Sequence, residues 1–107
     1  MQYTIFYAPE ALRDLEDIHA YIAEDLANPG AADSAIDRIF SAIDHLSVFP
    51  RMGAALSSIV PIDSDYRFIH AGSYIVFYRI RTENVYIDRI LYGKRNYLQV
   101  LFPDERE

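Results

Sequence analysis

Tyr74-Ile75-Val76-Phe77-Tyr78-Arg79-Ile80-Arg81-Thr82-Glu83-Asn84-Val85-Tyr86-Ile87-Asp88-Arg89-Ile90-Leu91-Tyr92 decides the fold. β-Branched and aromatic residues crowd both halves, and Thr82-Glu83 falls where a two-residue hairpin turn belongs. The stretch reads as two long strands, Tyr74–Arg81 and Asn84–Tyr92. By strict alternation, Arg79 and Arg81 share a face with Ile75 and Phe77, and Arg89 shares one with Val85, Ile87 and Leu91. Both strands are apolar on both sides. A layer on one face therefore leaves aromatics uncovered on the other unless something else lies there. The run Tyr97–Phe102 is suited to supply part of that cover.

Working upstream, Gly72-Ser73 marks a second hairpin turn, and Tyr66–Ala71 precedes it as a third strand. Residues 53–65, with Pro61 and Asp63-Ser64-Asp65, show no period and read as an irregular loop. Before them lie two amphipathic helices. Pro9 suits a first helical turn, and Leu12, Leu15, Ile18, Ile22 and Leu26 follow at spacings of three and four. Glu10, Arg13, Asp14, Glu16, Asp17, Glu24 and Asp25 make the solvated face. Asn28-Pro29 reads as a cap and first position of a second helix. Its stripe is Ala32, Ala35, Ile36, Ile39, Ile43 and Leu46, and Phe49-Pro50-Arg51-Met52-Gly53 ends it. Gln2–Tyr7 reads as an opening strand. The order is β-α-α-β-β-β: one α+β domain over residues 1–107, with a helical hairpin on one face of a small antiparallel sheet.

A chain of 107 residues, 51% apolar and 14% aromatic, suits one packed core and argues against disorder. There is no cysteine, which rules out disulfides and thiolate metal sites. The start lacks the pattern of a signal peptide and no run suits a membrane span, so a cytoplasmic protein away from the membrane is expected. The net charge of −6 hides an asymmetry. Residues 1–65 carry three arginines against eleven acids, a net −8, and residues 66–97 carry six cations against two acids, a net +4. Nine of the ten cations are arginine, whose planar fork suits carboxylates and phosphates.

His19, His45 and His70 show no metal-ligand spacing, and no glycine-rich phosphate loop exists. Ser57 and Ser58 have no base or oxyanion motif beside them. No cofactor and no metal are expected. What remains is the sheet, where Arg67, Arg79, Arg89 and Arg95 interleave with Tyr66, Tyr74, Tyr78, Tyr86, Tyr92 and Tyr97. Guanidinium groups with aromatic faces suit unpaired nucleic acid and also form protein-interface hot spots. Arginines at the rim of an apolar patch tilt the balance to a protein.

Several runs together resemble the RelE/ParE toxin superfamily. Ala11-Leu12-Arg13-Asp14-Leu15-Glu16-Asp17-Ile18-His19-Ala20-Tyr21-Ile22 is similar to its first helix. Phe49-Pro50-Arg51-Met52-Gly53 is similar to its P-x-x-G turn. Tyr66-Arg67, Gly72-Ser73-Tyr74-Ile75-Val76-Phe77-Tyr78-Arg79 and Arg89-Ile90-Leu91-Tyr92-Gly93-Lys94-Arg95-Asn96-Tyr97 echo its strand motifs. Tyr92 and Asn96 stand where that last motif has histidine and aspartate.

The resemblance implies the toxin of a type II toxin–antitoxin pair, of the kind linked to plasmid stabilization and growth inhibition. It implies a cognate antitoxin and assembly as a homodimer or a toxin–antitoxin heterotetramer. RelE-like members cut messenger RNA on the ribosome, and ParE-like members inhibit DNA gyrase without being known as nucleases. In the nuclease branch the catalytic residues here would be Arg67, Arg95 and Tyr97. Ile75 stands where those nucleases carry an arginine, and Ile69 where a second strand cation falls. Each missing donor removes roughly 3 kcal/mol of transition-state stabilisation. That loss and the acidic balance favour the ParE branch and a non-enzymatic role, with partner-binding residues Arg67, Tyr74, Arg79, Arg89, Tyr92 and Arg95. An inactive member that only binds its antitoxin is the third reading.

Overall fold

The computed structural model describes residues 2–103. The elements are β1 (Thr4–Tyr7), α1 (Pro9–Ala20), α2 (Pro29–Asp44), β2 (Ala54–Ala55), β3 (Arg67–Ala71), β4 (Tyr74–Arg81), β5 (Asn84–Tyr92) and α3 (Tyr97–Leu101). The five strands lie in the order β1-β5-β4-β3-β2. The α+β class and the helical hairpin are as expected. The sheet is mixed rather than antiparallel, because β1 runs parallel to β5, with Ile5 opposite Val85 and Tyr7 opposite Ile87. The chain between them, through both helices and then β2, β3 and β4, is the long connection that a parallel neighbour needs.

Asn28 caps α2: its side-chain oxygen accepts from the Ala31 N–H at 3.1 Å. Pro9 and Pro29 both start their helices. The first helix ends at Ala20 and continues as a π-helical turn, Tyr21–Asp25, before Ala27 closes it at φ 51°. Its buried stripe is Ala11, Asp14, Leu15, Ile18 and Ile22. Leu12 and Leu26, expected in that stripe, are exposed. Leu12 follows the buried Ala11 by one residue and so points about 100° away around the helix, and Leu26 lies past the π turn. Asp14, expected in solvent, is buried.

Both hairpin turns fall where expected. Gly72 and Thr82 each take positive φ, 62° and 56°. For the β-branched Thr82 that region is uncommon. The β4–β5 ladder slips at Phe77/Tyr78: Phe77 lies opposite Arg89 and Tyr78 opposite Ile87. Asp88 is thus the extra residue of a β-bulge. The slip breaks the alternation expected for the last strand. Val85, Ile87 and Ile90 face the helices, and Leu91 joins Ile75, Phe77 and Leu56 on the opposite face. Tyr97, Leu98, Val100, Leu101 and Phe102 cover that second cluster, as the tail was expected to do. Among the described residues no helix is long and apolar enough to cross a membrane.

Candidate functional site

The arginines of the sheet are engaged with the protein itself, each in a different way. The Arg89 guanidinium grips Asp14 with two hydrogen bonds, Nε and Nη2 each at 2.8 Å, and the Ile90 N–H donates to the same carboxylate at 2.9 Å. This pair ties α1 to β5. The hydrogen bond that Arg89 donates to Asp14 raises the Arg89 pKa despite burial. Asp14 is the residue that periodicity misplaced. The signal was available, since it lies three residues after Ala11 and four before Ile18, inside the buried stripe.

Arg79 donates to Asp88 at 2.7 Å and lies over the Tyr66 ring at 5.6 Å. Burial opposes its charge, and the hydrogen bond and charge of Asp88 outweigh burial, so its pKa rises. Burial raises the Tyr66 hydroxyl as well, reinforced by the Asp88 charge. These residues border a cleft with Glu10, Arg89, Val100 and Leu101. Arg81 pairs with Asp65.

Arg67 turns toward main chain: Nε donates to the Gly53 carbonyl at 3.1 Å and Nη2 to that of Arg51 at 3.3 Å. Beside it, the buried Tyr78 hydroxyl donates to the Pro50 carbonyl at 2.7 Å and accepts from the Gly53 N–H at 3.1 Å. Burial raises the Tyr78 pKa, countered by the Gly53 hydrogen bond and by Arg67. A side chain on Gly53 would meet that hydroxyl at 2.5 Å and the Phe68 carbonyl at 2.6 Å, which explains glycine there. Strand alternation placed Tyr78 on the sheet; it gave no hint that the hydroxyl holds the turn.

Arg67, Arg95 and Tyr97 do not converge. Arg67 lies opposite Tyr78, whereas Gly93, just before Lys94-Arg95, donates its N–H to the Ser73 carbonyl at 2.8 Å. The two arginines thus leave the sheet about five strand positions apart, roughly 16 Å along the backbone. The Tyr97 ring packs 5.1 Å from Phe77 in the second apolar cluster. Arg95 is exposed. Tyr74 and Tyr92 do meet, ring centres 6.0 Å apart. With Tyr21, Leu26 and Arg38 they border a largely apolar groove of about 630 Å³.

A family model described as the ParE toxin of the type II toxin–antitoxin system parDE matches residues 5–97. Among solved structures, the chain is similar to one from a chromosomal ParDE system of P. aeruginosa, at 21% identity and a TM-score of 0.72 over 87% of this chain and 98% of that one. It is also similar to one from the RelBE2 toxin–antitoxin complex of Mycobacterium tuberculosis, at 23% identity and 0.58 over 86% and 99%. A third is from the E. coli DinJ-YafQ complex, at 14% identity and 0.53 over 86% and 93%. No curated protein matches by sequence. The structural likenesses agree with a fold shared by both branches, and the match across residues 5–97 decides between families: the chain belongs to the ParE toxin family of type II toxin–antitoxin systems.

Proposed function

We propose that this chain is a cytoplasmic toxin that arrests growth by binding DNA gyrase and that a cognate antitoxin holds inactive. The observation that carries the protein-binding reading is the internal engagement of the sheet arginines. Arg89 is committed to Asp14, Arg79 to Asp88, Arg81 to Asp65 and Arg67 to two carbonyls. A phosphoryl-transfer site needs cations aimed at an empty position where charge develops. Here the cations already have partners, and Arg95 stands apart from Arg67. Family membership supports the choice of gyrase over the ribosome.

For the antitoxin we favour the groove beside Tyr74 and Tyr92. It is apolar, and Tyr21, Leu26 and Tyr92 are exposed around it. A partner segment that buries them removes apolar area from water at about 25 cal/mol per Å². Arg67, Arg79 and Arg89 then act by shaping the surface, with Tyr74, Tyr92 and Arg95 left to touch a partner.

Purified gyrase provides the test. Addition of the chain, freed of antitoxin, is expected to trap cleaved DNA complexes and stop supercoiling. Undisturbed supercoiling at large excess, with cuts on translating ribosomes that vanish in Arg95→Ala, would replace this reading with the nuclease one. Harmless expression of the lone chain would mark an inert member. The antitoxin surface is tested by co-purification with the product of the adjoining reading frame. Tyr92→Asp is expected to weaken capture about tenfold or more.

A further inference from the structure

The sheet ends in two unlike edges. β2 is two residues long and runs into a 3-10 turn at Leu56–Ser58, so it offers little to a neighbouring strand. At the other edge, Thr4 and Ala8 of the β1 segment donate their N–H groups to the Glu83 and Ile87 carbonyls at 3.0 and 2.9 Å. Parallel pairing alternates, so Thr4 and Phe6 turn their backbone groups toward β5, and Ile5 and Tyr7 turn theirs away. On that outer side the Tyr3 N–H is taken by the Ser47 carbonyl at 2.7 Å. No hydrogen bond among the described residues takes up the N–H or C=O of Ile5 or Tyr7.

Natural sheets blunt such an edge with charge, proline or a bulge. Residues 2–8 hold no charged residue and no proline, and the β1–β5 register runs without a slip. Phe6 stands exposed on this strand, stacked on Tyr86 with ring centres 5.4 Å apart.

We infer that β1 is a dimerisation strand and pairs antiparallel with β1 of a second copy of this chain. The outward groups fix the register. In an antiparallel ladder, residue pairs that exchange hydrogen bonds alternate with pairs that do not. Under two-fold symmetry, Ile5 exchanges with the second copy's Tyr7, and Tyr7 with the second copy's Ile5. Phe6 then faces the second copy's Phe6 across the axis, in the close pair whose Cα atoms lie about 4.5 Å apart. The two exposed rings cover one another and extend each Tyr86–Phe6 stack across the new boundary. An axis through Ile5 would call on the Tyr3 N–H, which Ser47 holds. An axis through Tyr7 would call on Pro9, which has no N–H. Two copies of a chain with net charge −6 repel, and they repel least along a strand that carries no charge. The dimer leaves the Tyr74–Tyr92 groove open, because Tyr92 lies five residues past Ile87, the last β5 residue opposite β1, roughly 17 Å along the strand. An antitoxin seated in that groove therefore does not compete with the second copy.

The test uses the purified full chain. Sedimentation is expected to show a dimer at about 200 µM that dissociates on dilution. Phe6→Lys sets like charges face to face and is expected to weaken the dimer about tenfold or more, with antitoxin capture and circular dichroism unchanged. The chain has no cysteine, so single replacements report the register. Under mild oxidation, Phe6→Cys is expected to form a disulfide-linked dimer about tenfold faster or more than Thr4→Cys, because the two Thr4 positions lie roughly 14 Å apart, beyond disulfide reach. A wild-type chain that stays monomeric at that concentration overturns the inference, as does a dimer that Phe6→Lys leaves intact. Equal linkage of the two cysteine variants overturns it as well. Loss of antitoxin capture in folded Phe6→Lys also overturns it, and assigns the edge to a strand of the antitoxin instead.

Discussion

The two faces of the sheet are closed by unequal means. On one, α1 and α2 bury Ile18, Ile22, Ile39 and Ile43 against Val76, Val85, Ile87 and Ile90. On the other, a five-residue helix lies over Leu56, Ile75, Phe77 and Leu91 and buries none of its own residues fully. A helix that short has no stability of its own and holds its shape only through contact with the sheet. Folding free energy therefore concentrates on the hairpin face, and the α3 face opens at lower cost. Ile43→Ala should make the largest difference, about 3 kcal/mol, because the site is sealed and a cavity remains. Leu98→Ala, in the thin layer, is expected to cost about 1 kcal/mol or less. Denaturant midpoints at constant slope measure both. Equal losses would erase the distinction between the faces.

The ion pairs repeat the contrast at smaller scale. Asp14 and Arg89 are 8% and 25% exposed, and Asp88 and Arg79 are more open at 14% and 39%. Removing one partner of a sheltered pair strands the other charge, and the penalty shrinks as water reaches the pair, here through the more open Arg79. Asp14→Asn is expected to destabilise by about 2–3 kcal/mol, since it also disturbs the bond from the Ile90 N–H. Asp88→Asn should cost about 1 kcal/mol or less. A larger loss for Asp88 would mean that the bulge, rather than the hairpin contact, organises the arginines.

Much of this was legible in sequence, for reasons that can be named. The hairpins announced themselves through β-branched runs broken by Gly72-Ser73 and Thr82-Glu83, both local signals. Asn28-Pro29 marked a helix start because capping is local as well. Three features escaped. The parallel pairing of β1 with β5 depends on which edge the returning chain reaches, and nothing in Thr4–Tyr7 encodes it. The Asp88 bulge shifts the alternation by one residue, and Asp88 resembles any polar strand residue. The spacing of Asp14 from Ala11 and Ile18 carries its burial, but its partner is not local, since Arg89 lies seventy-five residues later. The candidate site shows the same division. Strand parity found the arginines, while their internal partners are long-range facts. That is why Arg67 and Arg89 read as contact residues, with no sign of the bonds that Arg67 makes to main chain and Arg89 to Asp14.

The smallest expected effect concerns a tyrosine under the hairpin. Tyr7 packs edge-on against Phe40 with ring centres 5.9 Å apart. Burial, aided by the charge of Asp44, pushes its hydroxyl up to about 12. An unfolded tyrosine ionises near pH 10. Above that pH the unfolded state has released a proton that the folded state still holds, so stability falls as pH rises toward 12. Below pH 10 the phenol is neutral in both states and contributes no slope. Tyr7→Phe should therefore leave stability within about 0.5 kcal/mol at pH 8 and flatten the decline above pH 10. On the α3 face, burial and Asp88 raise Tyr66 in the same direction, so Tyr66→Phe puts the same question to the thinner layer. Denaturant midpoints at pH 8 and pH 11 separate the two. An alkaline slope that survives Tyr7→Phe but disappears in Tyr66→Phe would move the pH-sensitive burial from the hairpin face to the other side of the sheet.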